Sequence, residues 1–159
     1  ATKKVCDVHL MIEQPENYVE AFHKAGADVL SVHIEASLHL HRTIQHIKSL
    51  GMKAGVAVNP HTAINQLEAI VQDVDVFCLM SVNPGFGGQK FIPQTIDKIK
   101  ALKQLILQSG SGALIEIDGG VTLDNAASII AAGADVLVAG NTVFSAADPK
   151  AAIAALKQL

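Results

Sequence analysis

Apolar and polar positions divide the chain into short strand-like runs separated by longer amphipathic ones. The first run, Val5-Cys6-Asp7-Val8-His9-Leu10-Met11, alternates with period two, so Asp7, His9 and Met11 share one face and Cys6, Val8 and Leu10 the other. The apolar face fits beneath helices. The other carries two ionisable groups, which is ordinary inside a barrel mouth and out of place on an open sheet. A helix is predicted from Pro15 to Lys24-Ala25, stopped by Gly26, with Glu13 and Glu16 near its positive dipole end. Further strands are predicted at 31–35, 53–58, 76–81, 113–117 and 136–139. Helices are predicted at 38–50, 63–71, 93–109 and 123–132, with a terminal helix starting at Pro149.

The run Ala25-Gly26-Ala27-Asp28-Val29-Leu30 recurs as Ala132-Gly133-Ala134-Asp135-Val136-Leu137. Each copy closes a helix with glycine and enters a strand, so one αβ loop is used twice. Six strand–helix units share 159 residues, about 26 each, with no linker and no domain boundary. Strict alternation implies parallel strands and right-handed crossovers. A doubly wound sheet accepts six strands, whereas a (β/α)₈ barrel needs eight, typically in about 250 residues. The chemistry-bearing positions favour the barrel. His9, Glu35, Asn59, Asn83, Asp118 and Gly140 all fall at or near the C-terminal end of a strand, and in a barrel those ends converge on one mouth.

The candidate chemistry centres on Leu79-Met80-Ser81-Val82-Asn83-Pro84-Gly85-Phe86-Gly87-Gly88-Gln89-Lys90-Phe91. A buried strand breaks at Asn83-Pro84 and passes through Gly85, Gly87 and Gly88 before the next helix. Without Cβ atoms, such a loop can turn several N–H groups toward one oxyanion; an unliganded glycine turn is the alternative. Gly119-Gly120 and Gly140-Asn141 follow the next two strands. In a barrel these loops lie side by side, where phosphate sites recur. With only Lys90 at the margin, phosphate would be held mainly by backbone N–H groups and helix ends.

Asp118 reads either as a turn residue or as a general base or metal ligand, and His9 as a rim residue or a ligand. Two ligands do not make a metal site; His33 and Glu35 share a face and are weaker contributors. Met11 and Met80 end inward-facing stretches, as core filler or as apolar cover for a substrate. His23, His39, His41, His46 and His61 read as solvated.

Composition narrows the classes. The chain is 50% hydrophobic and 17% charged with net charge −3, which excludes general disorder and disfavours nucleic acid as a partner. It has no run of 18 apolar residues, and no signal-like segment follows Ala1-Thr2-Lys3-Lys4, so no membrane partner is expected. Cys6 and Cys78 make no disulfide framework, which fits a reduced, cytoplasmic protein.

Four stretches together carry a family resemblance: Asp7-Val8-His9-Leu10-Met11, Val32-His33-Ile34-Glu35-Ala36, the run from Met80 to Gln89, and Glu116-Ile117-Asp118-Gly119-Gly120-Val121. The chain resembles the ribulose-phosphate 3-epimerases along essentially its whole length, with Asn83-Pro84-Gly85-Phe86-Gly87-Gly88-Gln89 the most specific mark. The resemblance implies an α/β (β/α)₈ TIM barrel of ribulose-phosphate-binding type, an often oligomeric state and one divalent metal ion (zinc, iron, manganese or cobalt). It implies C3 epimerisation between D-ribulose 5-phosphate and D-xylulose 5-phosphate, in the pentose phosphate pathway or the Calvin cycle.

By position, His9 and Asp118 resemble metal ligands, and Asp118 also one of two acid/base carboxylates. Met11 and Met80 resemble the apolar cap near the reacting carbon. Gly85, Phe86, Gly87, Gly88, Gly119, Gly120, Val121, Gly140 and Asn141 resemble the substrate-binding loops, with His9 and Asp118 also at the substrate. Asn141 stands where the family usually has Ser, and Asn can still donate a hydrogen bond. Related decarboxylases carry Asp-x-Lys where this chain has Asp7-Val8-His9.

The chain opens at what resembles the family's third strand. The expectation is therefore a single barrel domain over 1–159 lacking the first two β/α units, roughly 50 to 60 residues, with their Ser and His-x-Asp. On that expectation the 159 residues do not catalyse epimerisation alone. A six-carbon ketose-phosphate epimerase and a non-catalytic structural fragment are the alternatives.

Overall fold

The computed structural model describes residues 3–159; the first two positions of the N-terminal stretch lie outside the described residues. Six strands form one sheet: β1 (Asp7–Leu10), β2 (Val29–His33), β3 (Lys53–Val58), β4 (Val76–Met80), β5 (Leu114–Asp118) and β6 (Val136–Val138). The helices are α1 (Val19–Ala25), α2 (Leu40–Ser49), α3 (Thr95–Ser109), α4 (Leu123–Ala131), α5 (Gly140–Phe144) and α6 (Pro149–Leu156).

The strands lie in chain order, β1-β2-β3-β4-β5-β6, and every neighbouring pair is parallel. A doubly wound sheet reverses its order at a switch point; this one never does. The sheet is also curled. His9 on β1 and Asp118 on β5 meet at 3.3 Å, although four strand spacings in a flat sheet come to about 19 Å. The fold is thus a barrel-type α/β sheet.

The packing follows from that curl. The outer face carries Leu30, Val32, Val56, Phe77, Leu79, Ile115 and Ile117, all fully buried in one cluster with Ile44 and Ile47 of α2, Ile99 and Leu102 of α3 and Ile129 of α4. The concave face holds a separate small cluster, Ala57, Cys78, Met80 and Val82. Leu10 is buried on the outer side while His9 turns inward, as the alternation in β1 predicts.

At the opposite end from the glycine loops, three aspartates brace alternate strand pairs. Asp28 accepts from the Cys6 N–H (2.7 Å), Asp75 from Ala54 (2.8 Å) and Asp135 from Ile115 (2.9 Å). Two of them are the aspartates of the repeated Ala-Gly-Ala-Asp loop, whose glycines Gly26 and Gly133 sit at φ 95° and 118°.

Several elements differ from expectation. The segment 63–71 is a 3₁₀ helix, Ile64–Ile70. Its apolar residues Ile64, Leu67 and Ile70 recur every three residues, which is the 3₁₀ period and not the α period. The first helix is split into a 3₁₀ turn, Pro15–Asn17, and α1. Glu35 lies beyond the strand, in the 3₁₀ turn Ile34–Ala36. The second helix starts at Leu40 and not at Leu38, and the residues after the last strand, 140–144, form the short α5.

Candidate active site

The C-terminal ends of β4, β5 and β6, with Met11 after β1, border a cavity of about 590 Å³, and His9 is not among the described residues that line it. Met11, Met80, Gly85, Phe86, Gly87, Gly88, Asp118, Gly119, Gly120, Val121, Gly140 and Asn141 all line it, and among its lining residues Asp118 is the only carboxylate. The three glycine loops are therefore neighbours. A side chain on Gly88 would come within 3.9 Å of Asn141 Oδ1. Asn141 accepts from Ser145 through that oxygen (3.3 Å), so its amide donors stay available. Lys90 borders the cavity, the one cation among its lining residues.

Two of the glycines are obligatory. Gly119 (φ 121°) and Gly120 (φ 63°) both occupy the left-handed half of backbone space. A Cβ on Gly119 would stand 2.3 Å from Val82 Cγ2, and one on Gly120 2.4 Å from the Phe91 backbone nitrogen. The turn after Asp118 thus packs directly against both ends of the long glycine loop. Side chains then fasten the loops, Thr142 joining two of them while Asn125 and Gln89 each close their own. Asn125 Nδ2 donates to Gly120 O (2.9 Å), Thr142 Oγ1 donates to Val121 O, and Gln89 Nε2 donates to Asn83 O (2.6 Å) and Phe86 O (2.9 Å).

Asp118 ends β5 and is held from β4. The fully buried Ser81 donates from its N–H to Asp118 O (2.9 Å), and its hydroxyl bonds Gly119 O at 2.6 Å, with Asp118 O at 3.0 Å. The Asp118 backbone is therefore fixed, and its carboxylate reaches His9 Nδ1 at 3.3 Å. His9 Nε2 meets His33 Nε2 at 2.8 Å, and His33 Nδ1 meets Glu35 Oε2 at 3.2 Å. Glu35 Oε1 accepts from the Asn59 N–H (2.9 Å) and from Thr62 Oγ1. Burial alone would raise the Glu35 carboxyl; the bonds from His33, Thr62 and Asn59 outweigh it and bring it down to about 2.

Below this string lie Cys78 and Glu116. Cys78 Sγ is 3.9 Å from His9 Nδ1. Burial first, then the charges of Glu116 and Asp118, push the Cys78 thiol well above its ordinary value. Burial, then Asp7, pushes the Glu116 carboxyl up to about 7. Both shifts come from placing acidic groups together where little water reaches.

Ligand atoms of His9, Cys78 and Asp118 lie within 4.8 Å of one another. An imidazole nitrogen facing a carboxylate oxygen is a donor set that suits a divalent transition ion. Cys78 is buried whereas His9 and Asp118 are partly exposed, so these two are the more accessible donors of the three.

The sequence singled out His9 and Asp118 and the structure brings them together. His33 and Glu35 join the same cluster through His9, whose other nitrogen faces Asp118. Sequence reasoning missed Ser81, Cys78, Thr62 and Thr142. Alternation along β4 places Cys78 and Met80 on one face, a signal that was available for Cys78. Ser81 and Thr142 act on loop carbonyls and Thr62 on the Glu35 carboxylate, contacts that carry no periodic signal. Among the five histidines read as solvated, His23, His39, His41 and His61 are exposed and His46 is half-buried.

Residues 1–144 match the model of the ribulose-phosphate 3 epimerase family. The chain is 54% identical over 152 residues to a ribulose-phosphate 3-epimerase of Bacillus subtilis, covering 95% of this chain and 70% of that protein. It is 52% identical over 153 residues to a chloroplastic ribulose-5-phosphate-3-epimerase of Arabidopsis thaliana, covering 95% of this chain and 54% of that one. Among solved structures, KGPDC from Streptococcus mutans superposes with a TM-score of 0.75 at 14% identity, over 98% of this chain and 71% of that one, a likeness of fold alone.

Proposed function

The chain belongs to the ribulose-phosphate 3 epimerase family of enzymes, and on that premise we propose that its cavity binds a phosphorylated ketose and moves the proton at C3, interconverting D-ribulose 5-phosphate and D-xylulose 5-phosphate. The observation that carries this reading is the placement of Asp118. Its backbone is held by Ser81, and its carboxylate meets His9 and lines the same cavity as the three glycine loops.

The phosphate sits against loops 85–88, 119–121 and 140–141, where backbone N–H groups and the α4 end provide donors and Lys90 lies at the edge. That anchor orients the sugar so that C3 faces Asp118. Met11 and Met80 cover the reacting carbon and keep water from it. Asp118 then takes the C3 proton from one face, leaving a planar enediolate, and a second proton carrier acts on the other face. His9 and Asp118 would hold one divalent metal ion, which supplies positive charge for the oxygens that become negative as the proton leaves. Inactivity of the 159 residues alone is part of this proposal, supported by Asp118 being the one carboxylate among the described residues that line the cavity, where the reaction uses two carriers. A reduced cytoplasmic setting is likewise proposed, supported by the free thiols Cys6 and Cys78. Among the described residues no helix is long and apolar enough to cross a membrane.

Ribulose 5-phosphate incubated in D₂O with the chain and zinc tests the reading, followed by NMR. Loss of the C3 proton signal without formation of xylulose 5-phosphate, and its abolition in Asp118→Asn, is the expected result. Binding of the sugar phosphate with no exchange at C3 would overturn the assignment of Asp118.

A further inference from the structure

A string of three side chains runs from the turn after β2 to the metal-facing edge of His9, and only one arrangement of its protons leaves that edge open. The Glu35 carboxylate begins it. One oxygen is occupied by Asn59 and Thr62, and the other faces His33 Nδ1 at 3.2 Å. An ionised carboxylate only accepts, so His33 Nδ1 carries a proton. His33 Nε2 and His9 Nε2 are 2.8 Å apart with ring centroids 4.9 Å apart, so the rings meet edge to edge through their nitrogens. One of these nitrogens donates and the other accepts. If His9 donates, its remaining nitrogen, Nδ1, faces Asp118 Oδ2 at 3.3 Å, and the proton shared there is the one a cation displaces, leaving a neutral ring with its lone pair on Nδ1. If His33 donates, Nδ1 of His9 carries the proton and the space beside Asp118 is closed to a cation.

The string is also mechanically fixed. His33 is 5% exposed at the end of β2. The loop that pins Glu35 is tied down by Lys98, whose ammonium donates to Asn59 O (2.8 Å) and Pro60 O (3.2 Å). A ring with one nitrogen held by a neighbouring hydrogen bond keeps both its tautomer and its plane.

We propose that His33 and Glu35 are positioning residues for metal binding: the Glu35–His33–His9 contact holds His9 as the Nε2–H tautomer and aims its Nδ1 lone pair at the space beside Asp118. This rests on the reading of His9 and Asp118 as metal ligands. Neither His33 nor Glu35 touches the cation or the substrate.

The whole chain is titrated with zinc by calorimetry, beside Glu35→Gln and His33→Leu. Each variant is expected to lose roughly 10–100-fold in zinc affinity, while His9 and Asp118 remain in place. In parallel, long-range ¹H–¹⁵N correlation of the zinc-loaded unaltered chain should show His9 protonated at Nε2 and His33 protonated at Nδ1 only. The measurement on unaltered protein stands even if His33→Leu fails to fold. Affinity of Glu35→Gln within twofold of the unaltered chain overturns the proposal, as does coordination of zinc through His9 Nε2. If the unaltered chain takes up no divalent cation, the metal reading itself fails and this proposal with it, a result distinct from unchanged affinity in the variants.

Discussion

Glu35 illustrates how much a single carboxylate can carry. Its folded-state value, about 2, lies below the ordinary 4.5. A carboxyl depressed on folding adds stability that is complete above its unfolded value and disappears as pH falls through the folded one, here between about 4.5 and 2. Because the group is partly exposed, the contribution is discounted to about 1 kcal/mol. Urea unfolding at pH 6 and at pH 2.5 should therefore show a larger acid loss in the unaltered chain than in Glu35→Gln; equal losses would contradict the assignment. Ser81 works through backbone. Ser81→Ala removes the hydroxyl that bonds the Asp118–Gly119 peptides, and should weaken sugar-phosphate binding roughly tenfold or more while unfolding at only slightly lower urea, about 1 kcal/mol. Gly120→Ala combines a left-handed φ of 63° with a contact of 2.4 Å to the Phe91 backbone. It should abolish binding, read by the same titration.

At the scale of elements, the division of labour between strand ends is plain. Asp28, Asp75 and Asp135 hold the N-terminal ends of strand pairs through backbone N–H groups. Asp75→Ala leaves the Ala54 N–H without its partner and also removes the contact to Lys48. The expected cost is about 1–3 kcal/mol in urea unfolding with no change in sugar-phosphate affinity. These elements were unevenly legible. The repeated Ala-Gly-Ala-Asp loop and the alternation in β1 announced the αβ joint and the inward His9. The 3₁₀ segment Ile64–Ile70 escaped because three apolar residues spaced by three also satisfy part of an α-helical stripe. Cys78 was weighed only as a disulfide partner, so its place beside His9 went unseen. Ser81 and Thr142 could not be read at all, since each acts on a carbonyl more than twenty positions or so away in the chain, which only the fold brings near.

For the whole molecule, what decides the chemistry is curvature. Four strand spacings separate β1 from β5, yet His9 and Asp118 touch. The barrel-type reading of the sequence rested on six strand ends converging; the unbroken sheet order bears out the barrel-type fold, and of those six residues Asn83, Asp118 and Gly140 line the cavity. The cavity joins loops from β4, β5 and β6, so a ligand bound there bridges elements that unfold together. Saturating ribulose 5-phosphate at 100 times its Kd should raise stability by about 2.7 kcal/mol. A thermal-shift series with inorganic phosphate and with the unphosphorylated sugar separates the phosphate anchor from the rest. No shift with either phosphate compound would contradict the glycine-loop assignment.

The aspartate braces and the cavity lie at opposite rims of the same strands, about 16 Å apart for a five-residue strand such as β4. Sites that far apart with no shared partner combine their effects independently. Asp75 therefore offers an experimental dial. A graded series at that position sets how readily the chain unfolds while the upper rim stays as it is, so any change at Asp118 can be examined on several backgrounds of known robustness. A departure from simple summation would then measure how far disturbance travels along a single strand.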